Sequence, residues 1–573
     1  MTDSLPHQSP LRRNTDAGAP PAAVNFTFSS AEIEQLRQFG QARDHAAGAV
    51  LFTEGDKAVD CLVVLSGQLD VLVTDAGETR RIGWMTPGQF SGDLAVLTGQ
   101  TTLATGKMAE AGTLLHIPQE DFQRLLVENS ALSDVFIRAF VARRAWARTS
   151  GLATTVIVGS RGDRTVFAIR DLFTKHEVNH AWINSDDDPV AQKILVTKGF
   201  TTDDLPVVLR GSSLALRKPN IREVSEAYGL DLLPDGACAD VLIVGAGPAG
   251  LAASVYAASE GLSVLTIDTD GPGGQAGTSS KIENYLGFPT GISGRELANN
   301  AAVQAQKFGV RIASPVRAEK LEPLTGGNAY CLTLADGRAF KAKAVVIATG
   351  AQYRKLPIDQ LEIFEGRGIY YGATPMEAQL CNDQDVAVVG AGNSAGQGAV
   401  FLSQSARQVH VLYRRPDIRE TMSEYLVRRL EETPNIHLHP ETEISAFQGD
   451  GHLAQIDVMV GGKPAGTGLS TPYVFLFIGA APFTDWLPNT LAKGPRGFIK
   501  TGADLGNLDL VKAQWTLDRM PTRYETALPR VYAVGDVRIG SVKRVANAVG
   551  EGSVVVSDIH AALAEMADVA AQG

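Results

Sequence analysis

Gly245-Ala246-Gly247-Pro248-Ala249-Gly250 follows the apolar run Asp240-Val241-Leu242-Ile243-Val244, and Gly390-Ala391-Gly392-Asn393-Ser394-Ala395 follows Val386-Ala387-Val388-Val389, 145 residues further on. Glycines at this spacing, between a strand and a helix, let backbone approach a pyrophosphate while the helix aims its first amides at the charge. The first copy has the required context on both sides. A helix is predicted over Leu251–Glu260, and Val264-Leu265-Thr266-Ile267-Asp268 is the next strand. Asp268 ends that strand, where a carboxylate accepts from a ribose hydroxyl. The plainer alternative is a glycine-rich turn without a ligand. Two such folds in one chain point to two dinucleotides and to electrons passing between them.

The bulk properties set limits around this reading. A chain of 573 residues is too long for one core and predicts three or four domains. Hydrophobic residues make up 44% and the mean hydropathy is near zero, as in a globular protein outside the membrane. The net charge of −11 argues against a nucleic-acid partner, which would need a concentrated basic face. The cluster Arg138, Arg143, Arg144 and Arg148 reads as the solvated side of a connecting helix. No apolar stretch is long enough to span a bilayer. Residues 1–25 lack an apolar core segment and read as a disordered tail, not a signal peptide, so a cytoplasmic location is expected. The four cysteines, Cys61, Cys238, Cys331 and Cys381, form no Cys-x-x-Cys pair and no metal-ligand spacing.

The chain reads as multidomain. Residues 26–150 alternate short strands with glycines and then turn helical, predicting a β-roll with an exit helix. Residues 151–232 run strand, helix, strand, helix, strand, a small α/β sandwich. Residues 238–353 and 480–573 form the first dinucleotide fold, interrupted by the second over 354–479.

Further motifs carry a family resemblance over roughly Ala239–Leu563. Gly271-Pro272-Gly273-Gly274-Gln275, Ile282-Glu283-Asn284-Tyr285-Leu286-Gly287-Phe288-Pro289, Ala348-Thr349-Gly350 and Val534-Gly535-Asp536-Val537-Arg538 are similar to motifs of the low-molecular-weight thioredoxin reductases. The resemblance implies two nested three-layer ββα domains binding FAD and NAD(P)H, and a homodimer. It implies that FAD is held by Gly245, Gly247, Pro248, Ala249, Gly250, Asp268, Gly274, Thr349, Gly350 and Gly535, with Gln275 and Asn284 at the flavin ring and Asp536 on the ribityl chain. Lys543-Arg544-Val545-Ala546 stands where the family has Arg-Gln-Ala, so Val545 and Ala546 fall at the ring with one contact changed.

The second fingerprint supplies Gly390, Gly392, Asn393, Ser394 and Ala395 for the other dinucleotide. Beyond the next strand, Tyr413-Arg414-Arg415 and then Arg419 resemble the family's His-Arg-Arg and following Arg. Guanidinium groups grip a 2′-phosphate, so NADPH is expected with Arg414, Arg415 and Arg419 as readers. The alternative is a solvent-facing basic turn and NADH.

One part of the resemblance is broken. The family's redox disulfide lies in a Tyr-Cys-Ala-Thr-Cys-Asp sequence, and this chain has Tyr371-Gly372-Ala373-Thr374-Pro375-Met376. Neither Gly nor Pro exchanges thiols. Cys381 is the nearest cysteine and reads more as a buried hydrophobe than a nucleophile. No side chain is therefore assigned as catalytic.

The front units repeat this pattern of loss. Residues 154–230 resemble a glutaredoxin-like thioredoxin fold, with Asp204-Leu205-Pro206-Val207-Val208 where such folds place a cis-proline. The turn Gly159-Ser160-Arg161-Gly162-Asp163-Arg164 should hold Cys-x-x-Cys, yet this unit has no cysteine. It is a spacer or a docking module. Residues 28–126 resemble a cyclic-nucleotide-binding domain, with Gly92, Asp93, Leu94 and Ala95 in the phosphate-binding cassette. Thr101-Thr102 replaces the family's Pro-Arg, and Lys107 is the nearest cation in sequence. The β-roll binds a cyclic nucleotide, or is structural, or senses another ligand. His437 and His439 share one face of a strand, but no third ligand is evident, so zinc is not expected.

The expected function is an FAD-dependent NADPH oxidoreductase delivering electrons to an external acceptor: a quinone, a ferredoxin- or flavodoxin-type protein, a metal centre or oxygen. The N-terminal domain is a candidate regulator. The alternatives are a disulfide reductase using Cys381 or a partner's thiols, and a sensor whose output is regulatory.

Overall fold

In the computed structural model the described residues are 26–57, 59–75, 78–92, 94–102, 104–149, 155–211, 214–231, 233–279, 281–324, 327–373, 375–466 and 468–572. The expected tail, Asp93 and Thr374 lie outside them, as do the side chains of Leu94 and Met376. The chain divides into two compact units. The first comprises residues 1–160, 168–233 and 304–315, and the second the remainder.

The first unit opens with the β-roll. One sheet pairs Gln41–His45, Gly112–Ile117 and Cys61–Val64, and the other Val50–Phe52, Thr105–Glu110, Gln68–Asp75 and Glu78–Met85. Leu62, Val64, Leu69, Met108 and Leu114 fill the space between them. Helices Gln119–Glu128 and Ser130–Thr149 follow. Arg138 is exposed beside Asp134, as the solvated-face reading predicts. Arg143 corrects that reading. It turns inward, donating to the carbonyls of Gly92 (2.5 Å) and Phe90 (2.9 Å) and stacking 4.5 Å over the Phe90 ring. A guanidinium offered cassette carbonyls and an aromatic face gains more there than in water.

The α/β module of the same unit has sheet order Leu214–Arg217, Val207–Arg210, Thr155–Gly159, His180–Asn184. The sequence pattern does not predict strand Leu214–Arg217 or the helix α1 over Ile221–Tyr228. The helix nonetheless carries a legible start and stop. Asn220 and Glu223 form a capping box, and Gly229 closes it at φ +64°. The Leu205–Pro206 peptide is cis.

In the second unit, strand β1 (Cys238–Val244) lies between β2 (Val264–Ile267) and β3 (Ala339–Ile347), all parallel, and β4 (Val531–Ala533) pairs with β3. Val241, Leu242, Ile243 and Val244 are buried, so the continuous apolar run reads as a strand covered on both faces. Helix α2 (Pro248–Ser259) packs on this sheet beside the long α3 (Val545–Gln572). The second parallel sheet runs Ile369–Tyr370, Tyr473–Leu476, Asp385–Val389, Gln408–Leu412, Ile436–His439, backed by the antiparallel strands Thr442–Gln448 and Gln455–Val460. Ala387, Val474 and Leu476 of that sheet meet Phe447 and Ile456 of the antiparallel layer in one core. Among the described residues no helix is long and apolar enough to cross a membrane.

Candidate functional site

The glycines of the first fingerprint divide by role. Gly245 takes φ +111°, and a Cβ there would stand 2.3 Å from the Ala348 carbonyl oxygen. A Cβ on Gly250 would stand 1.8 Å from the Gly245 carbonyl oxygen. Both exist for close packing of strand, turn and helix. Gly247 is different. The nearest atom to its Cβ position is the Cα of Gly274, 3.9 Å away, so the space over the start of α2 stays open. Pro248 opens α2 where a missing N–H costs nothing. Gly274 in turn would bring a Cβ within 3.1 Å of the Gly247 Cα. The result is a glycine-lined cradle at a helix N-terminus, which suits a pyrophosphate.

Asp268 stands at the end of β2 and serves the loop itself. Its carboxylate accepts from the Ala246 N–H (2.7 Å) and from the N–H groups of Asp270 and Gly271 (2.9 Å each). Burial pushes its pKa up, and these backbone donors oppose the rise. Gln275 donates its amide to the Ala351 carbonyl, and Thr349 its hydroxyl to the Phe483 carbonyl at 3.4 Å. Gly350 takes φ +61°. Asn284 is exposed and has no hydrogen-bond partner among the described residues.

Gly535 takes φ +73°, and a Cβ there would meet the Ala249 Cβ at 2.9 Å. Its N–H donates to Glu551 at 2.7 Å. Asp536 beside it is partly buried. Burial raises its pKa, with Lys543 opposing and Glu551 adding. Lys543 donates to the Asp536 carbonyl and lies 4.7 Å over the Phe498 ring. Val545 is the first residue of α3, and Ala546 is exposed next to it. Glu551 is a site residue that no motif in the sequence marks. It is 4% exposed and pairs with Arg538 at 2.6 Å. Burial works against its charge, but Arg538, the Gly535 N–H and Asn547 hold it below the ordinary glutamate range.

The second fingerprint repeats the plan. Gly390 takes φ +145°, and a Cβ would stand 2.5 Å from the Phe477 carbonyl oxygen, whereas at Gly392 nothing lies within 4 Å. Gly392 caps the helix Asn393–Leu402 that follows. Asn393 accepts from the N–H and hydroxyl of Ser423 (2.8 and 3.0 Å), Ser394 is exposed, and Ala395 is buried. The three arginines differ. Arg415 pairs with Glu420, and Arg419 with Glu431 at 2.6 Å, while the exposed Arg414 has no partner among the described residues.

In the broken frame, Pro375 opens the helix Pro375–Leu380, and a Cβ on Gly372 would stand 3.2 Å from the Thr278 Cβ. Tyr371 donates to Glu365 at 2.6 Å. Cys381 is fully buried, and burial, with Glu377 adding, pushes its thiol well above the ordinary range. Cys61 is also buried, Cys331 is half-buried and Cys238 is exposed; none of the four is in a disulfide.

The chain is similar to known proteins. Residues 239–552 match the family model described as pyridine nucleotide-disulphide oxidoreductase, and residues 42–129 the one described as cyclic nucleotide-binding domain. The chain belongs to the pyridine nucleotide-disulphide oxidoreductase family. Among its relatives, thioredoxin reductase of Bacillus subtilis (strain 168) is 31% identical over 324 residues, 56% of this chain and 93% of that protein. Thioredoxin reductase of Treponema pallidum (strain Nichols) is 32% identical over 329 residues, 56% of this chain and 95% of that protein. The solved structure of Lactococcus lactis thioredoxin reductase is 26% identical with a TM-score of 0.50, covering 57% of this chain and 99% of that one. The chain is thus a thioredoxin reductase-like, FAD-dependent NAD(P)H oxidoreductase preceded by a cyclic-nucleotide-binding-type β-roll. This family uses FAD and NADPH. The open cradles at Gly247 with Gly274 and at Gly392 fit two dinucleotides.

Two groups marked in the sequence take the following places. Lys107 is exposed on strand Thr105–Glu110 opposite Val50 and Asp70, while the Thr101 hydroxyl accepts from Arg210 of the α/β module at 2.7 Å. His437 and His439 do have a third histidine beside them. His410 bonds His439 at 3.0 Å and stacks on the His437 ring, with ring centres 5.5 Å apart. The neighbouring strand brings it in, which one strand's own pattern does not reveal. The His410–His439 bond satisfies these nitrogens mutually, and no metal-type cluster occurs among the described residues.

Proposed function

We propose that this protein is an NADPH oxidoreductase that passes electrons from its flavin to an external acceptor and not to a disulfide of its own. The observation that carries the reading is the pair Gly372 and Pro375 at both sulfur positions of the family's frame, with Cys381 buried and held as a thiol. FAD, when bound, supplies the chemistry, taking hydride from NADPH and releasing electrons onward. The side chains bind and orient. The cradle at Gly245, Gly247, Pro248, Ala249, Gly250 and Gly274 would hold the FAD pyrophosphate, and Asp268 the ribose. Thr349, Gly350, Gly535 and Asp536 would line its length, with Gln275, Asn284, Val545 and Ala546 at the ring. Gly390, Gly392, Asn393, Ser394 and Ala395 would hold the NADPH pyrophosphate, and Arg414, Arg415 and Arg419 its 2′-phosphate. Domain limits of 238–353 with 480–573 for FAD and 354–479 for NADPH go with this assignment.

The acceptor classes consistent with an uncapped flavin are a quinone, an iron–sulfur or flavin protein, a metal centre and oxygen. Anaerobic NADPH titration should bleach the flavin band, and an acceptor panel should then re-oxidise it. A flavin-loaded sample that NADPH leaves unbleached, or rapid turnover with thioredoxin as acceptor, overturns the proposal. Regulation through the β-roll is the second reading, favoured by the tie between the cassette and Arg210. Calorimetry with a panel of cyclic nucleotides tests whether a nucleotide is the signal; no heat from any member removes that signal.

A further inference from the structure

The segment beyond strand Gln408–Leu412 is built onto the second dinucleotide loop. The Thr421 hydroxyl donates to the Ala391 carbonyl at 2.7 Å, and the N–H and hydroxyl of Ser423 donate to the Asn393 side chain. A Cβ on Gly396 would stand 2.8 Å from the Met422 Sδ, so the segment also lies against helix Asn393–Leu402. The Asp417 carboxylate accepts from the Arg419 N–H at 2.9 Å. The backbone of Arg419 is therefore fixed beside the loop that would hold the NADPH pyrophosphate.

The Arg419 guanidinium is turned to carboxylates. It donates to Glu431 at 2.6 Å, with Asp417 at 3.7 Å and Glu424 at 3.9 Å. Arg415 is paired with Glu420 of the same segment, and the exposed Arg414 has no partner among the described residues. Glu431 stands in the last turn of helix Glu424–Glu432, where a negative charge opposes the helix dipole. The stability of that helix does not account for it, whereas the pair with Arg419 does. The two side chains are 47% and 44% exposed. An ion pair so open to water is weak. A phosphate monoester, with roughly two negative charges and three acceptor oxygens, competes with it.

We infer that Glu431 is a specificity-determining residue of the NADPH site, because its carboxylate holds the guanidinium that a 2′-phosphate would otherwise gain. NADPH must break this pair to engage Arg419, whereas NADH has no such phosphate and leaves the pair intact. The preference between the two nucleotides is then set by the carboxylate as well as by the arginines. Arg414, with no pair to break, supplies the larger share. The inference rests on the proposed assignment of Arg414, Arg415 and Arg419 to the 2′-phosphate.

The test is calorimetric titration of the full-length, FAD-loaded protein with NADP⁺ and with NAD⁺, which needs no electron acceptor. Glu431→Gln keeps the size of the side chain and removes its charge. It should tighten NADP⁺ binding roughly two- to fivefold, the worth of an exposed ion pair, and leave NAD⁺ binding unchanged. Glu431→Asp keeps the charge on a shorter stem and should fall between Glu431→Gln and wild type. Arg419→Ala should weaken NADP⁺ less than Arg414→Ala does. In an Arg419→Ala background, Glu431→Gln should have no effect on NADP⁺, because it acts through that guanidinium. Wild-type NADP⁺ affinity in Glu431→Gln overturns the inference. So does an equal gain in the Arg419→Ala background, which would mean general charge repulsion and not a held arginine. If Arg414→Ala and Arg419→Ala both leave NADP⁺ binding unchanged, the assignment of the 2′-phosphate fails, and the inference with it. Bleaching of the flavin by NADPH tests the proposed function separately from all of these affinities.

Discussion

Replacing Glu551 with Gln tests whether a buried ion pair holds the turn that carries Gly535 and Asp536. The carboxylate accepts four hydrogen bonds: two from Arg538 at 2.6 and 3.3 Å, one from the Gly535 N–H at 2.7 Å and one from Asn547 at 3.0 Å. Glutamine keeps one acceptor oxygen and turns the other position into a donor facing donors. Breaking one side of a buried pair costs about 3–5 kcal/mol. Arg538 keeps a bond to the Ile539 carbonyl and is 16% exposed on its side chain, which places the loss near the lower end, about 3 kcal/mol. At a few degrees per kcal/mol for a large unit, the melting temperature should fall by roughly 5 °C. The sign of the pH dependence follows from the depressed pKa. A carboxylate held below its unfolded value stabilises fully above that value and loses the contribution as pH falls through the folded one. The gap between wild type and Glu551→Gln should thus stay constant from about pH 8 to about pH 5 and close below the ordinary glutamate pKa of about 4.3. Circular dichroism and flavin fluorescence melts across this range measure it. No gap near neutral pH, or a gap that changes between about pH 8 and about pH 6, refutes the reasoning.

Gly250→Ala places a Cβ 1.8 Å from the Gly245 carbonyl oxygen, so the purified variant should lack FAD, read as the ratio of flavin to protein absorbance. Arg414→Ala should raise the KM for NADPH roughly tenfold or more and leave that for NADH unchanged, because Arg414 has no carboxylate partner among the described residues to release first; equal effects on both nucleotides would remove it as a 2′-phosphate reader. Cys381→Ala should leave turnover with any acceptor, disulfides included, within about twofold of wild type, since the buried thiol is held protonated; loss of activity in the folded variant would restore the thiol reading.

What the sequence disclosed depended on how local the cause was. Gly245 and Gly250 are legible because a strand, a turn and a helix meet within six residues, and only glycine survives the approach. The missing sulfurs at Gly372 and Pro375 are legible because they are a direct substitution in a fixed frame. Glu551 was not, because its ion-pair partner Arg538 comes from a turn thirteen residues before it and no periodicity marks a buried acid on a helix. His410 and Arg210 were hidden for the same reason: each meets its partner across a strand pair or a module junction, at separations that carry no pattern. Arg143 was assigned to solvent by its basic neighbours, but the carbonyls of Phe90 and Gly92 that draw it inward lie about fifty residues away in the chain.

The losses of chemistry have one physical feature in common, which bears on where the electrons go. At Pro375 the residue that replaces a cysteine opens a helix, a position that tolerates a missing N–H. In the α/β module, Asp163 accepts from the Thr165 N–H at 2.7 Å at the start of helix Arg164–Lys175. A carboxylate there takes the positive end of the helix dipole that would otherwise lower a thiol pKa, and its charge would oppose a neighbouring thiolate. At the cassette, Thr101 and Thr102 spend their donors on carbonyls of the protein itself. At Asp163, Thr101 and Thr102 the side chain that stands in the family's reactive or ligand-binding position makes a hydrogen bond within the protein, and at Pro375 it starts a helix. A cysteine restored beside Asp163 would meet that carboxylate's charge, which disfavours a thiolate. The space left open at Gly247 and at Gly392 is what the proposed transfer of electrons from NADPH through the flavin to an external acceptor would use.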